Sequence, residues 1–333
     1  MKRNKILKSL LGLAAPWCMS AGFAADMIIT SEIPLVTNPS PYIVQFVDEV
    51  TKRTNGELKG KYFPAAQLYN DRDGIAALGT GAVHMVWPVT SRLESMDPRT
   101  GVASLPFMLS SREMTNGCFA KGFTQQISGY LEPKGVRVLG FLRTADLMFL
   151  MKGRDIQKAD DLKGQKVRVV GGQIMLDAIK SAQASPVSMA ASEMSAALSQ
   201  GVIDGVMSSP AGWVDVLGKS AKYGTSVPGM ALATSAVVVD KNWFDKLPEA
   251  QRKVVQTVLD EIIARQWKET VAKDEELIKK MLAQGVSHRV MAPAEISQLK
   301  QRFDTASDKF RSQHAAAVDK RNALEKECFA NAR

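Results

Sequence analysis

Residues 160–172 read DDLKGQKVRVVGG, a pattern that predicts a turn, a short buried strand and a glycine pair at which the next helix begins. Val167, Val169 and Val170 are β-branched residues of the kind that form strands between two layers of helices. Arg168 lies among them near the C-terminal end of the strand, where open α/β sheets bind their ligands. Burial of an unpaired guanidinium is costly, so Arg168 indicates either an ion pair with a neighbouring Asp or Glu or a site for an anion.

The bulk composition is that of a globular protein with about two domains, because 45% of the 333 residues are apolar and 23% are charged. Residues 1–24 carry four basic and no acidic side chains, then an apolar run, then Gly22-Phe23-Ala24, which fits a cleavage site. This pattern predicts a signal peptide and export. Without it the net charge of +9 falls by four to +5, with no basic run that would indicate nucleic acid.

The mature chain contains no other stretch of about 18 apolar residues, so no membrane span is predicted. It retains two cysteines, Cys118 and Cys328. In an oxidising compartment these two thiols either pair or remain free and buried, and the sequence leaves both possibilities open.

Strand and helix patterns alternate along the chain, which favours parallel sheets built from βαβ units. Residues 105–109, 136–142 and 231–239 are predicted to be buried strands. Residues 248–285 carry apolar side chains at spacings of three and four and predict one helix of about 37 residues. At ~1.5 Å per residue it would extend ~55 Å, long enough to brace two lobes.

A weak internal repeat relates the two halves of the chain. Residues 76–86 (AALGTGAVHMV) resemble residues 196–206 (AALSQGVIDGV), and a Leu-Lys-Gly turn precedes each, at 58–60 and at 162–164. We therefore expect strand, helix, glycine stop and strand in each half, and a cleft between two α/β lobes. The expected division is residues 25–144 with 236–270 for lobe I and residues 145–235 with 271–333 for lobe II.

Five landmarks occur in a specific order: FPAAQL at 63–68, LPF at 105–107, DLKG followed by KVRV at 161–169, AL followed by GVIDG at 197–205, and WFDKLP at 243–248. In this order the chain resembles the DctP family, the periplasmic solute-binding subunits of tripartite ATP-independent periplasmic (TRAP) transporters. The resemblance covers nearly the whole mature chain. It implies a two-lobed periplasmic protein that closes on an organic anion and delivers it to the small and large integral membrane TRAP subunits, with no cofactor.

The resemblance also implies that Arg168 binds the ligand carboxylate, which a planar guanidinium matches with two hydrogen bonds. Two departures from the family pattern bear on the chemical class of the ligand. The second arginine of many members aligns with Leu147, and their asparagine after the Asp-Gly turn aligns with residues 207–210, which read MSSP. We therefore expect one carboxylate on an apolar or aromatic body, rather than a C4-dicarboxylate or a sialic acid.

The predicted ligand-binding residues fall into three groups: polar donors, apolar side chains that line the cleft, and one glycine. They are Arg168, Ser208, Ser209, Gln67, Thr90 and Arg92; Trp87, Leu147, Met148, Met207 and Trp213; and Gly171. The alternative for each Met and Trp is ordinary core. The alternative for Arg92 is an ion pair within its lobe, and that for Gln67 is a hydrogen bond that caps its loop.

Enzyme motifs are missing from the sequence. The three histidines, His84, His288 and His314, have no Cys, His or carboxylate partner at metal-binding spacing, and neither His-Glu-x-x-His nor Gly-x-Ser-x-Gly occurs. We therefore expect neither an enzyme nor a metal site. Three alternatives remain open at this stage: a subunit that presents its ligand to a periplasmic sensor, a C4-dicarboxylate binder, and a periplasmic enzyme acting on an organic acid.

Overall fold

The computed structural model describes residues 25–189 and 191–330. The predicted signal peptide, residues 1–24, lies outside the described residues. Within the described part of the chain, no helix has both the length and the apolar character needed to cross a membrane.

Strands and helices alternate along most of the chain. The strands are β1 (Ala25–Thr30), β2 (Leu58–Phe63), β3 (Met85–Val86), β4 (Val136–Asp146), β5 (Met148–Met151), β6 (Lys166–Val169), β7 (Ser185–Ser188), β8 (Gly205–Ser208), β9 (Tyr223–Ser226), β10 (Leu232–Asp240) and β11 (Ser287–Val290). The α-helices are α1 (Ser40–Arg53), α2 (Asp71–Ala77), α3 (Ser111–Met114), α4 (Gly117–Leu131), α5 (Gln173–Ser181), α6 (Met194–Gln200), α7 (Pro210–Gly212), α8 (Lys241–Lys246), α9 (Glu249–Ala283) and α10 (Pro293–Phe329).

Two sheets define two lobes, as predicted, but both are mixed rather than parallel, because β10 is antiparallel to β3 and β4 and β5 is antiparallel to β8 and β9. The sheet of lobe I has the order β2-β1-β3-β10-β4, and the sheet of lobe II has the order β11-β9-β5-β8-β6-β7. The chain passes between them at Leu147, which joins β4 to β5, and at residues 227–231, which join β9 to β10. Helix α9 has 35 residues; it packs on β4 and α1 of lobe I and on α7 and β11 of lobe II. The predicted long helix that contacts both lobes is therefore confirmed.

Only one of the two repeated sequence patterns occupies equivalent positions in the two lobes. Strand β1 lies between β2 and β3, parallel to both, and β6 lies in the same way between β7 and β8. The pair α2–β3 is thus equivalent to α6–β8, as expected. The two Leu-Lys-Gly turns are not equivalent, because residues 58–60 begin the outer strand β2 whereas residues 162–164 precede the central strand β6.

Residues 105–109 are not a strand, contrary to prediction. They form a turn after a 3₁₀-helix, Pro98–Ser104, and Phe107 has a left-handed backbone with φ +60°. Leu105 and Leu109 are buried, so the apolar pattern reflected burial alone. Pro106 has no N–H to donate to a sheet, which also disfavours a strand here.

The C-terminal helix α10 contacts both lobes. It packs on α5 of lobe II and on α4 of lobe I, and Cys328 in its last turn forms a disulfide with Cys118 of α4, with the two Cα atoms 5.6 Å apart. The possibility that the cysteines pair, which the sequence left open, is thus the one found. Helix α10 is kinked at His314. Leu299 and Phe303 before the kink pack in lobe II, whereas Ala317 and Val318 after it pack in lobe I. The expected division, by contrast, assigned residues 271–333 to lobe II alone.

Candidate functional site

Arg168 is buried at the C-terminal end of β6, with 2% of its surface exposed. Its Nε and Nη2 both donate to the carbonyl oxygen of Met189, at 3.1 and 2.8 Å. No carboxylate of the described residues lies within 4.0 Å of its nitrogens. Burial lowers the pKa of Arg168 to about 10, so the side chain stays charged at neutral pH. The charges of Glu32 and Glu193 act in the opposite direction, but neither carboxylate forms a salt bridge with Arg168.

Arg143, at the end of β4, provides the contrast. It is 1% exposed, and its Nη2 donates to Asp146 Oδ2 at 2.8 Å and to Asp274 Oδ2 at 2.7 Å. Our sequence reasoning missed Arg143, although it lies in an apolar strand pattern just as Arg168 does. Since both of its carboxylate partners are protein groups, Arg143 has a structural role.

Arg92 provides a second guanidinium from lobe I. It lies in the 3₁₀-helix Thr90–Ser95, and its Nη1 is 3.3 Å from the position that a Cβ on Gly171 of lobe II would take. Its Nε is buried without a hydrogen-bond partner, and no described carboxylate lies within 4.0 Å. After burial, the charge of Arg92 is the next cause of the lowered pKa of Arg168.

Among the described residues, Arg92 forms no ion pair within its lobe, which was the alternative considered for this residue. It instead reaches the β6–α5 turn from the facing lobe, so a second guanidinium acts on Arg168 although Leu147 replaces the second arginine of the family. The sequence signal was weak, because Arg92 follows β3 in a polar turn like many surface arginines.

Two of the predicted residues share the sheet face of Arg168. Arg168 is paired with Val206 across β6 and β8, so strand alternation places Ser208 on the same face. Met148 is paired with Ser208 across β5 and β8 and is on this face too. Met207 points to the opposite face, where it packs with Val167 and Val169. The structure thus groups Arg168, Ser208 and Met148.

A second group surrounds a cavity of about 60 Å³ between the lobes. Its lining includes four predicted residues: Thr90 from lobe I, Gly171 and Met207 from lobe II, and Leu147 from the crossover. The Thr90 hydroxyl is 2.7 Å from that of Thr234 on β10, which ties the end of β3 to the second crossover. The cavity lies beside the β6 face opposite to Arg168, and its lining is mostly apolar.

The other aromatic and polar predictions have structural contacts; Trp213 packs in the same cluster as Met148, on the face of Arg168. The Trp213 indole donates to the carbonyl of Ala221 at 2.8 Å within the core of lobe II. Trp87 packs on Phe46 in the core of lobe I, with ring centroids 5.4 Å apart. For both tryptophans, therefore, the alternative of ordinary core describes the structure. Ser209 Oγ accepts a hydrogen bond from the Gly212 amide as the cap of α7, at 2.9 Å.

Gln67 is exposed on the turn that follows Pro64. Its backbone amide donates to the Pro64 carbonyl at 3.0 Å, and Gln67 does not line the cavity between the lobes. The structure therefore does not bring Gln67 together with Arg168.

Sequence reasoning missed an acidic pair in lobe I. Asp71 is fully buried, and its carboxylate accepts hydrogen bonds from the amides of Glu32 at 3.2 Å and Val89 at 2.9 Å. The Asp71 amide in turn donates to Glu32 Oε2 at 3.3 Å. Burial, followed by the nearby charge of Glu32, raises the pKa of Asp71 to about 7.

The described residues include no cluster of three or more His, Cys, Asp or Glu side chains that could hold a metal ion. The donors around Arg168 are of the kind that hydrogen-bond to anions. They are guanidinium and hydroxyl groups, together with apolar surface.

A family model described as bacterial extracellular solute-binding protein, family 7 (DctP) matches residues 39–313. The chain belongs to the DctP family. Among its relatives, the C4-dicarboxylate-binding periplasmic protein DctP of Rhodobacter capsulatus is 25% identical over 280 residues, 83% of each chain. The resemblance inferred from the sequence is thus confirmed, as is the expectation of a periplasmic solute-binding protein rather than an enzyme.

Solved DctP-type structures share the fold. A TRAP periplasmic solute-binding protein from Sulfitobacter, solved with β-D-galacturonate, superposes with a TM-score of 0.82 at 24% identity, covering 90% of this chain and 99% of that one. An extracytoplasmic solute receptor of Bordetella pertussis that binds pyroglutamic acid gives 0.81 at 23% identity, with the same coverage. At this level of identity the comparison shows the fold alone.

Proposed function

We propose that this DctP-family protein is the solute-binding subunit of a TRAP transporter and binds an organic acid through its carboxylate at Arg168. One observation carries the proposal: Arg168 is as buried as Arg143, yet it has no described carboxylate within 4.0 Å. An uncompensated buried charge costs several kcal/mol. A ligand carboxylate would offset this cost and use the N–H groups that Met189 leaves free.

Arg92 couples anion binding to closure of the lobes. Arg92 and Arg168 belong to different lobes, and their like charges oppose each other when the lobes meet. A carboxylate between the two guanidinium groups turns that repulsion into attraction. The closed form is thereby stabilised when the anion is present, which is the differential affinity that a ligand-driven closure requires. The closed complex is then delivered to the membrane subunits.

We propose a monocarboxylate with an apolar or aromatic body. Leu147 and Met148 supply apolar surface at the first crossover, and Met148 lies on the sheet face of Arg168. Ser208 provides one hydroxyl on the face of Arg168. A small polar dianion would leave this apolar surface without contacts.

A C4-dicarboxylate is the second candidate, and a specific observation favours it. Leu147 replaces the second arginine of many family members, but Arg92 supplies a second guanidinium from a different element. This second guanidinium would bind the second carboxylate of the ligand. The relative from Rhodobacter capsulatus is named as a C4-dicarboxylate-binding protein.

Titration calorimetry with a panel of aliphatic and aromatic monocarboxylates, sugar acids and C4-dicarboxylates tests both candidates. We expect the tightest binding from a monocarboxylate, a loss of at least about 100-fold in Arg168→Ala, since two charge-assisted hydrogen bonds disappear, and a smaller loss in Arg168→Lys. Arg72→Ala, which removes an exposed arginine of α2, is the matched control. Undiminished binding by Arg168→Ala would refute the anchor, and preferred binding of C4-dicarboxylates would favour the second candidate.

A further inference from the structure

Helix α5 of lobe II begins without a side-chain cap of its own. The residue at its N-cap position is Gly172, which makes no side-chain hydrogen bond, so the amides of its first turn need other acceptors. One acceptor comes from the other lobe: Glu94 Oε2 accepts a hydrogen bond from the Gln173 amide at 2.9 Å. Glu94 lies in the same lobe I 3₁₀-helix, Thr90–Ser95, that carries Arg92.

The glycine at the cap position makes this approach possible. A Cβ on Gly172 would lie 2.8 Å from Glu94 Oε1 and 3.1 Å from the Cβ of Ser91, and Gly172 has a φ of +85° that disfavours other residues. Contact between lobe I and the β6–α5 turn is thus close because residue 172 has no side chain. The turn directly follows the strand of Arg168.

We propose that Glu94 is a positioning residue that stabilises the closed form by capping helix α5 of the opposite lobe, a role that rests on the proposed function. The positive end of the helix dipole and its unpaired amides favour a carboxylate at this place. Opening of the lobes separates Glu94 from Gln173, so the contact exists only in the closed form. It therefore acts on the open–closed equilibrium and on ligand release rather than on contacts to the ligand.

The hydrogen bond from the Gln173 amide requires the Glu94 carboxylate to be buried, and burial of a charge is unfavourable. Burial raises the pKa of Glu94, while hydrogen bonds from the Ser104 hydroxyl and from the amides of Gln173 and Ile174 act in the opposite direction. Glu94→Gln keeps an oxygen acceptor for the Gln173 amide and avoids burial of a charge, while it loses the attraction to the helix dipole. These effects oppose each other, so we expect Glu94→Gln to resemble the wild-type protein more than Glu94→Ala does.

Stopped-flow release of the ligand that binds best in the calorimetric panel is the first test. We expect Glu94→Ala to release it about 3- to 30-fold faster, the range typical of a lost helix cap, with a matching loss of affinity. Glu94→Gln should stay within about threefold, and Asp48→Ala, which removes an exposed acid of α1, should release at the wild-type rate. Wild-type release by Glu94→Ala would overturn the proposal.

Hydrogen exchange of the Gln173 amide tests Glu94 without depending on the proposed function. We expect faster exchange at Gln173 in Glu94→Ala than in the wild-type protein, and a larger difference when ligand is present. If no organic acid binds, the proposed function fails while exchange in the ligand-free protein still decides the role of Glu94. Equal exchange in the two proteins, with and without ligand, would overturn it.

Discussion

At the scale of single residues, the free energy of a buried charge depends on its partner rather than on its burial. Arg143 and Arg168 are both almost completely buried, but Arg143 is paired with Asp146 and Asp274. Removal of one member of such a buried ion pair strongly destabilises the folded protein, because the other charge is left buried without a partner. Arg168 lacks such a described partner, so its substitution is expected to change ligand binding more than folding stability.

Arg92→Ala should weaken ligand binding by about 5- to 30-fold, because it removes one charge-assisted hydrogen bond worth about 1–2 kcal/mol after desolvation. Calorimetry with the best monocarboxylate and with a C4-dicarboxylate measures the effect on each class. A selective loss of dicarboxylate binding would assign the second carboxylate to Arg92. Wild-type affinity for both classes would show that Arg92 is outside the site.

Asp71 should make stability depend on pH. Its pKa is raised from 3.8 to about 7 in the folded protein, so folded molecules hold a proton that unfolded molecules release. The free energy of unfolding is therefore highest below about pH 4 as far as this group is concerned, and this contribution is lost as the pH rises towards 7. The loss is on the order of a few kcal/mol.

Urea unfolding between pH 4 and 7 measures this contribution. Asp71→Asn, which cannot ionise, should show a flatter pH dependence, and Asp73→Asn, an exposed neighbour in α2, should retain the wild-type slope. An unchanged slope in Asp71→Asn would contradict the assignment.

At the scale of elements, the start of α5 and the end of α10 are both fixed by distant parts of the chain. Glu94 of lobe I caps α5, and the disulfide joins the last turn of α10 to α4 across a sequence separation of 210 residues. A cross-link over so long a loop removes many conformations from the unfolded chain. Helix α10 packs on both lobes, so the disulfide holds a link between them in place.

Removal of the disulfide should lower the melting temperature while changing ligand affinity little, because the cysteines belong to α4 and α10 and not to β6 or the turn that follows it. Cys118→Ser with Cys328→Ser is expected to cost about 2–5 kcal/mol of stability, measured by thermal and urea unfolding. Reduction of the wild-type protein should reproduce the loss and leave the double variant unaffected. A wild-type melting temperature in the double variant would show that packing of α10 is sufficient.

At the scale of the whole molecule, two sheets are joined by two crossovers and two long helices. The crossovers at Leu147 and at residues 227–231 are short, and Thr90 bonds to Thr234 beside the second. If the lobes close as proposed, we expect rotation about these crossovers, with α9 and α10 following. Closure brings Arg92 and Glu94 onto the turn that follows Arg168.

Ligand should therefore make the molecule more compact. Small-angle X-ray scattering of the wild-type protein is expected to give a smaller radius of gyration at saturating organic acid than without it. Arg168→Ala should show no change at the same ligand concentration, since its closed form has lost the anion contact. Equal radii for the wild-type protein in both conditions would argue against ligand-driven closure.

The sequence predicted the architecture better than the arrangement of the site. The periodicity of α9 and the β-branched run around Arg168 are local, and both were interpreted correctly. The strand predicted at residues 105–109 was wrong because burial of Leu105 and Leu109 gives the same apolar pattern as a strand. The approach of Arg92 to the turn after Arg168 could not be predicted from the family pattern, because Arg92 belongs to an element that does not align with the second arginine of the family.

What the sequence determined by itself is whatever depends on neighbouring residues: the alternation of strands and helices, the long helix, and an arginine placed at the end of a β-branched strand before two glycines. Tertiary structure alone decided which arginine has a carboxylate, since Asp274 lies 131 residues from Arg143. It also placed the tryptophans in the cores and Glu94 against α5. Pairings of this kind depend on how the lobes fold and meet, and no local pattern encodes that geometry.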